Sequence, residues 1–247
     1  MINLLTGDLN YRYAGPRFGA TITLGVSDIN YLDAVDAVRD LTTYRASLRG
    51  SVGLARGVAL FVEPFLNYRD TRLDLGGAFG DTATTGVLAG ASFDLADKLQ
   101  GSLGAGVFSA NPSGSGAPTT TGLAASGRLV WRPQRRTAIT TDLFRGDVAT
   151  IRAGALGRVD TRIGLSIDQE ARHNLLLHAT LGLRTVHYRG GMSLNSQRFV
   201  TGAVEARYLL NRNVSVMLGT ALTRRRSDWA TERFNRWQTT VGLHFAY

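Results

Sequence analysis

With 247 residues the chain is long enough for one large β domain or two small ones, and it holds no run of about 18 consecutive apolar residues, which excludes a transmembrane helix. It has no cysteine, which excludes disulfide staples and thiolate metal sites. The formal charge of +9 is carried by arginine, Lys98 being the one lysine, and the arginines are scattered along the whole length, so no nucleic-acid partner is expected.

Alternation with a period of two dominates the chain and predicts a succession of strands, each with one apolar face. In order, the outward positions are Leu5, Leu9, Tyr11 and Tyr13; Phe18, Ala20, Ile22, Leu24 and Val26; Tyr44, Ala46, Leu48, Val52 and Leu54; Leu60, Val62, Leu66 and Tyr68. They continue with Val87, Ala89, Ala91, Phe93 and Leu95; Leu99, Leu103, Ala105 and Val107; Leu123, Ala125, Leu129 and Trp131. Residues 137–144 alternate least clearly, with Ile139, Thr141 and Leu143 as the apolar set. Residues 155–167, 175–183, 200–210 and 214–223 resume the pattern, and the last strand carries Trp237, Val241, Leu243, Phe245 and Tyr247 on one side.

The connections alternate in length. Short turns are predicted near 14–17, 55–57, 96–98, 133–135, 168–173 and 211–213, the last being Asn211-Arg-Asn213, a tight hairpin. Longer polar loops are predicted near 28–41, 70–82, 110–119, 145–152, 189–197 and 223–235. Short turns at one rim and long loops at the other define an antiparallel up-and-down transmembrane β-barrel, with its short turns in the periplasm and its loops outside. The whole chain, 1–247, reads as one such domain. About 12–14 strands are visible, against the even numbers usual in bacterial single-chain barrels, and the first residues lack the charged and apolar segments of an export signal. The expectation is therefore a larger barrel truncated at its N-terminus.

Trp237, Val241, Leu243, Phe245 and Tyr247, alternating to the last residue, resemble the carboxy-terminal signal that the assembly machinery of bacterial outer-membrane β-barrels reads. The segments Phe61-Val-Glu-Pro-Phe-Leu-Asn-Tyr-Arg-Asp70 and Thr84-Thr-Gly-Val-Leu-Ala-Gly-Ala-Ser-Phe-Asp-Leu95 resemble the central part of the outer-membrane family called β-barrel porin type 2. Leu129-Val-Trp-Arg-Pro-Gln-Arg-Arg-Thr137, His173-Asn-Leu-Leu-Leu177 and Tyr208-Leu-Leu-Asn-Arg-Asn213 fit the same family's periplasmic turns. The resemblance implies location in the outer membrane of a Gram-negative bacterium. It also implies a link to exopolysaccharide export, and it carries over no catalytic residues.

The faces opposite the apolar ones hold Arg45, Arg49, Arg128, Arg158, Arg162, Arg184, Arg207 and Arg225, interspersed with Glu63, Asp142, Asp160 and Glu205. Guanidinium forks match carboxylate and phosphate, so such a lumen would favour anionic solutes such as acidic polysaccharide. The competing reading is that arginines and acids on adjacent strands pair and brace the wall. Arg224, Arg225 and Arg226 fall in a predicted outer loop, where they would meet lipopolysaccharide phosphates or simply be solvated. His173, His178, His187 and His244 lack ligand spacing, so neither metal nor cofactor is expected. Three functions remain open: a porin-like conduit, a plugged structural or adhesive barrel binding surface glycans, and an outer-membrane hydrolase. No nucleophile–base constellation or catalytic motif supports the last, so the chain is not expected to be an enzyme.

Overall fold

The computed structural model describes residues 2–32, 40–71, 81–96, 98–113, 118–150, 155, 157–189 and 196–245. The strands are β1 (Ile2–Ala14), β2 (Phe18–Tyr31), β3 (Leu41–Ala55), β4 (Val58–Thr71), β5 (Thr82–Leu95), β6 (Leu99–Pro112) and β7 (Thr120–Gln134). They continue with β8 (Thr137–Val148), β9 (Gly157–Arg172), β10 (Leu175–Arg189), β11 (Ser196–Leu209), β12 (Val214–Ser227) and β13 (Phe234–Phe245). Every strand pairs antiparallel with its sequence neighbour, giving one 13-stranded up-and-down sheet in the order β1 to β13. Among the described residues, β1 and β13 do not pair with each other, so the sheet is an open arc.

The strands run 12 to 16 residues, longer than the roughly 9–11 residues a tilted strand needs to cross a bilayer. Their middles can therefore sit in hydrocarbon while both ends stand in the headgroups or in water. The outward side chains follow this division. Leu181, Val204, Leu218 and Val241 are all at least half exposed, and they lie where only lipid would relieve that exposure. Tyr11, Tyr13, Phe18, Trp131, Tyr208 and Phe245 stand outward near the short-turn ends, and Tyr44, Tyr68 and Trp237 toward the long-loop ends. Two aromatic girdles bracketing an apolar band are what a barrel wall presents to a membrane.

The inner face is packed differently. Phe61, Leu88, Phe108, Ala110 and Ala124 form a buried cluster with Phe65 and Val159 against it. The large rings fit because glycine faces them: a Cβ on Gly122, the cross-strand partner of Phe108, would stand 2.7 Å from that ring. At the short-turn rim Gly57 has φ +75 and closes the β3–β4 hairpin, where a side chain would strike the backbone of Asp94. Register shifts fall at the same rim, at Gly53/Ala55, Trp131/Gln134 and Leu175/Leu176, where bulges increase local twist.

The sheet is strongly curled. In a flat sheet β4 and β8 would stand about 19 Å apart, four steps of about 4.8 Å. Instead the Arg69 guanidinium on β4 reaches the Asp147 carboxylate on β8. Leaning of the strand tips adds to the curl. The β7–β8 ladder stops at Ala125↔Arg145, although β7 runs on to Thr120 and β8 to Val148. Asp147 and Val159, partners on the outward parity of β8 and β9, are turned onto the inner face of β4–β7. The upper ends of β8 and β9 thus cross the lumen side of the wall.

Three sequence expectations are corrected. The turn placed at 168–173 is only His173 and Asn174, because Asp168-Gln-Glu170 stay in β9, with Asp168 opposite His178. Residues 145–148, expected in a loop, complete β8. Arg224, Arg225 and Arg226 are strand residues of β12, opposite Val200, Phe199 and Arg198. In each case polar residues that look like loop belong to strand ends that project beyond the apolar band. Of the predicted loops 28–41 and 70–82, residues 28–31 and 70–71 are strand ends of β2 and β4, while 33–39 and 72–80 lie outside the described residues, as does Tyr247.

Candidate functional site: an arginine row on the inner face

Cross-strand register brings together residues from five consecutive strands. Phe144 on β8 pairs with Arg162 on β9, Arg162 with Arg184 on β10, Arg184 with Phe199 on β11, and Phe199 with Arg225 on β12. Because register partners share a face, all five side chains project inward. The rings and guanidiniums stack in turn. Arg162 lies 5.3 Å over the Phe144 ring, while Arg184 and Arg225 flank Phe199 at 5.6 and 5.5 Å.

Asp160 organises the row. Its carboxylate is fully buried and accepts from Arg162 Nη2 at 2.8 Å and Arg184 Nη2 at 2.7 Å, with Arg158 Nε at 3.3 Å. Glu232, on the 3-10 turn Ala230–Glu232, stands 3.1 Å from Arg225 and also accepts from Gln197 and Ser227. Among the described residues four guanidiniums thus face two carboxylates, a local surplus of two positive charges. Arg162 and Arg184 keep 49% and 34% of their side-chain surface open, so the surplus is presented to the lumen, while Asp160 itself is hidden.

The remaining sequence candidates are distributed elsewhere. Arg49 is neutralised one-to-one by Glu63 at 2.6 Å and lies 4.1 Å over Phe61. Arg45 stands 3.9 Å from Asp8 and Arg128 3.7 Å from Asp142, both exposed pairs of small energetic weight. Arg207 pairs with Glu205 at 3.2 Å near the short-turn end of β11. Of the eight arginines read as lumen-lining, Arg158, Arg162, Arg184 and Arg225 converge on one region, and Arg45, Arg49, Arg128 and Arg207 do not.

Sequence reasoning missed a second ion cluster, in which Asp147 binds both Arg69 and Arg189 and accepts from Thr84 Oγ1 at 3.0 Å. It also missed the aromatic component. The available signal was that Phe61, Phe65, Phe108, Phe144 and Phe199 occupy the polar parity of their strands. Of the terminal set, Trp237, Val241, Leu243 and Phe245 are exposed on the outward face of β13. Among the described residues, no cluster of three or more metal-ligating side chains occurs.

Thirteen antiparallel strands with a lipid-type outer face and a charged, aromatic inner face define the wall of a membrane β-barrel. The chain belongs to the family described as Putative beta-barrel porin 2, which it matches over residues 2–247. Its fold resembles those of solved transporters and of an uptake receptor. The FrpB iron transporter from Neisseria meningitidis (F5-1 variant) superposes with a TM-score of 0.61 at 11% identity, covering 96% of this chain and 48% of that one. The ferric yersiniabactin uptake receptor FyuA from Yersinia pestis gives 0.52 at 9% identity, covering 97% and 46%. The copper transporter OprC gives 0.52 at 12% identity, covering 99% and 50%. The chain thus spans about half the length of the structures it matches, and at these identities the likeness concerns the fold. No curated protein matches the chain.

Proposed function

We propose that this chain forms the wall of a porin-like conduit in the bacterial outer membrane that favours anionic solutes, with acidic exopolysaccharide as its cargo class. The observation that carries the reading is the row Phe144, Arg162, Arg184, Phe199, Arg225, whose three arginines together with the adjoining Arg158 outnumber the two carboxylates Asp160 and Glu232 among the described residues. Guanidinium forks suit sugar carboxylates, and the phenyl rings offer flat apolar faces to the sugar ring. Movement is passive, driven by concentration and by the positive potential of the lumen.

A second reading, the plugged structural barrel, is favoured by one feature: the tips of β8 and β9 lie across the inner face, tied by Arg69, Asp147 and Arg189. Liposome swelling with the full-length protein separates the two. The conduit is expected to admit uronic-acid oligosaccharides several times faster than neutral oligosaccharides of equal size. Equal rates would remove the anion preference, and no swelling with either sugar would favour the plugged barrel.

A further inference from the structure

Three arginines at the long-loop rim are built unlike those of the lumen. Arg198 on β11 and Arg224 and Arg226 on β12 all have outward parity, since their neighbours Phe199 and Arg225 point inward. Each is exposed, and among the described residues none of the three pairs with a carboxylate. Arg198 and Arg226 are direct register partners, an arrangement that places like charges opposite each other and is unfavourable unless something anionic lies between them.

Their position relative to the membrane is set by the residues below them. On the outward side β10 is apolar from Leu175 to Leu183, β11 from Val200 to Tyr208 and, apart from the cross-strand pair Thr220 and Thr239, β12 from Val214 to Leu222 and β13 from Trp237 to Phe245. Each stretch is about the 9–11 residues that cross the hydrocarbon core. Immediately beyond it come Thr185, Arg198, Arg224 and Asn235, with Trp237 at the boundary. The cations therefore stand at headgroup depth, on the lipid side, in the leaflet next to the long loops. They line an open cleft with Thr185, His187 and Asn235, whose edge also holds Asp228 and Arg233. Both edge groups are engaged: Asp228 accepts from the Ser196 backbone N–H at 3.0 Å, and Arg233 donates to the Ser227 carbonyl at 2.7 Å.

We infer that Arg198, Arg224 and Arg226 form a binding site for the phosphate groups of an outer-leaflet glycolipid. A phosphate seated between Arg198 and Arg226 would turn the like-charge pair into two charge-assisted hydrogen bonds, while acyl chains lie along Val200, Leu222 and Trp237. The site rests on the outer-membrane placement but not on conduction, so a protein that passes no solute can still carry it.

The test is equilibrium binding of the detergent-purified full-length protein to lipid A. Bisphosphorylated lipid A is expected to bind at least tenfold tighter than enzymatically dephosphorylated lipid A. Arg198→Gln with Arg226→Gln should lose at least tenfold for the bisphosphorylated form while remaining heat-modifiable on gels, and millimolar inorganic phosphate should not displace the lipid. Equal affinity for the two lipids overturns the inference from the unmodified protein alone, whatever the variant does. Unchanged affinity in a folded double variant overturns it as well, and displacement by inorganic phosphate would reassign the cluster to a free-phosphate site.

Discussion

Leu181→Arg is expected to destabilise the barrel by about 2–4 kcal/mol, the range for a cation on the lipid face near the midplane of a barrel. Leu181 lies on the outward face of β10, half exposed, flanked in register by Leu165 and Gly202. In lipid its guanidinium would lose hydration without gaining a partner. Val87, Leu103, Leu129, Leu165 and Leu218 share this orientation and should respond alike, with the cost falling toward the girdles. Thr180→Arg, one residue away and inward, is the control: it should cost well under half as much in a reversible unfolding titration in lipid vesicles. Equal costs at 180 and 181 would remove the two-faced wall from which the inner site is derived.

Asp160→Asn should be nearly as damaging for a different reason. The carboxylate is fully buried and shared by three arginines, so its loss leaves Arg158, Arg162 and Arg184 repelling one another without an anion. Removing one partner of a buried ion pair costs about 3–5 kcal/mol, and the partial exposure of the three arginines places this case at about 3 kcal/mol. The same substitution in an Arg162→Gln, Arg184→Gln background should cost distinctly less, because the cluster then loses one pair instead of the anchor of three. A purely additive double-mutant cycle in unfolding free energy would show that Asp160 does not organise the row.

Much of the wall was legible in the sequence because lipid imposes a simple rule on every second residue. Leu175 to Leu183 and Val214 to Leu222 alternate so regularly that strand, face and hairpin follow from period two and the turn Asn211-Arg-Asn213. The rule weakens where strands leave the membrane. Asp168-Gln-Glu170 and Arg224-Arg-Arg226 carry strand geometry with loop composition, since water tolerates polar side chains on both faces there.

The inner site was half legible. Charge on the polar parity was visible, and it marked Arg158, Arg162, Arg184 and Arg225. Whether a given arginine is surplus or paired depends on register across strands: Arg162 meets Arg184 over Asp160, whereas Arg49 meets Glu63. Alternation gives the face of a residue and not its neighbour. The contact between Arg69 and Asp147 lies further out of reach, because it exists only where the sheet curls and the β8 tip leans inward.

Anion preference arising from the arginine row is tested most directly by the reversal potential of the full-length protein in a planar bilayer under a KCl gradient. Arg162→Gln with Arg184→Gln leaves Arg158 on Asp160 and Arg225 on Glu232, which removes the surplus of two charges while each carboxylate keeps one partner. The unmodified protein should be anion-selective, with the preference fading as salt approaches about 1 M and the screening length falls to about 3 Å. The double variant should shift its reversal potential toward cations at low salt. A folded, conducting double variant with an unmoved reversal potential would contradict the account, because the row would then not set the potential of the lumen.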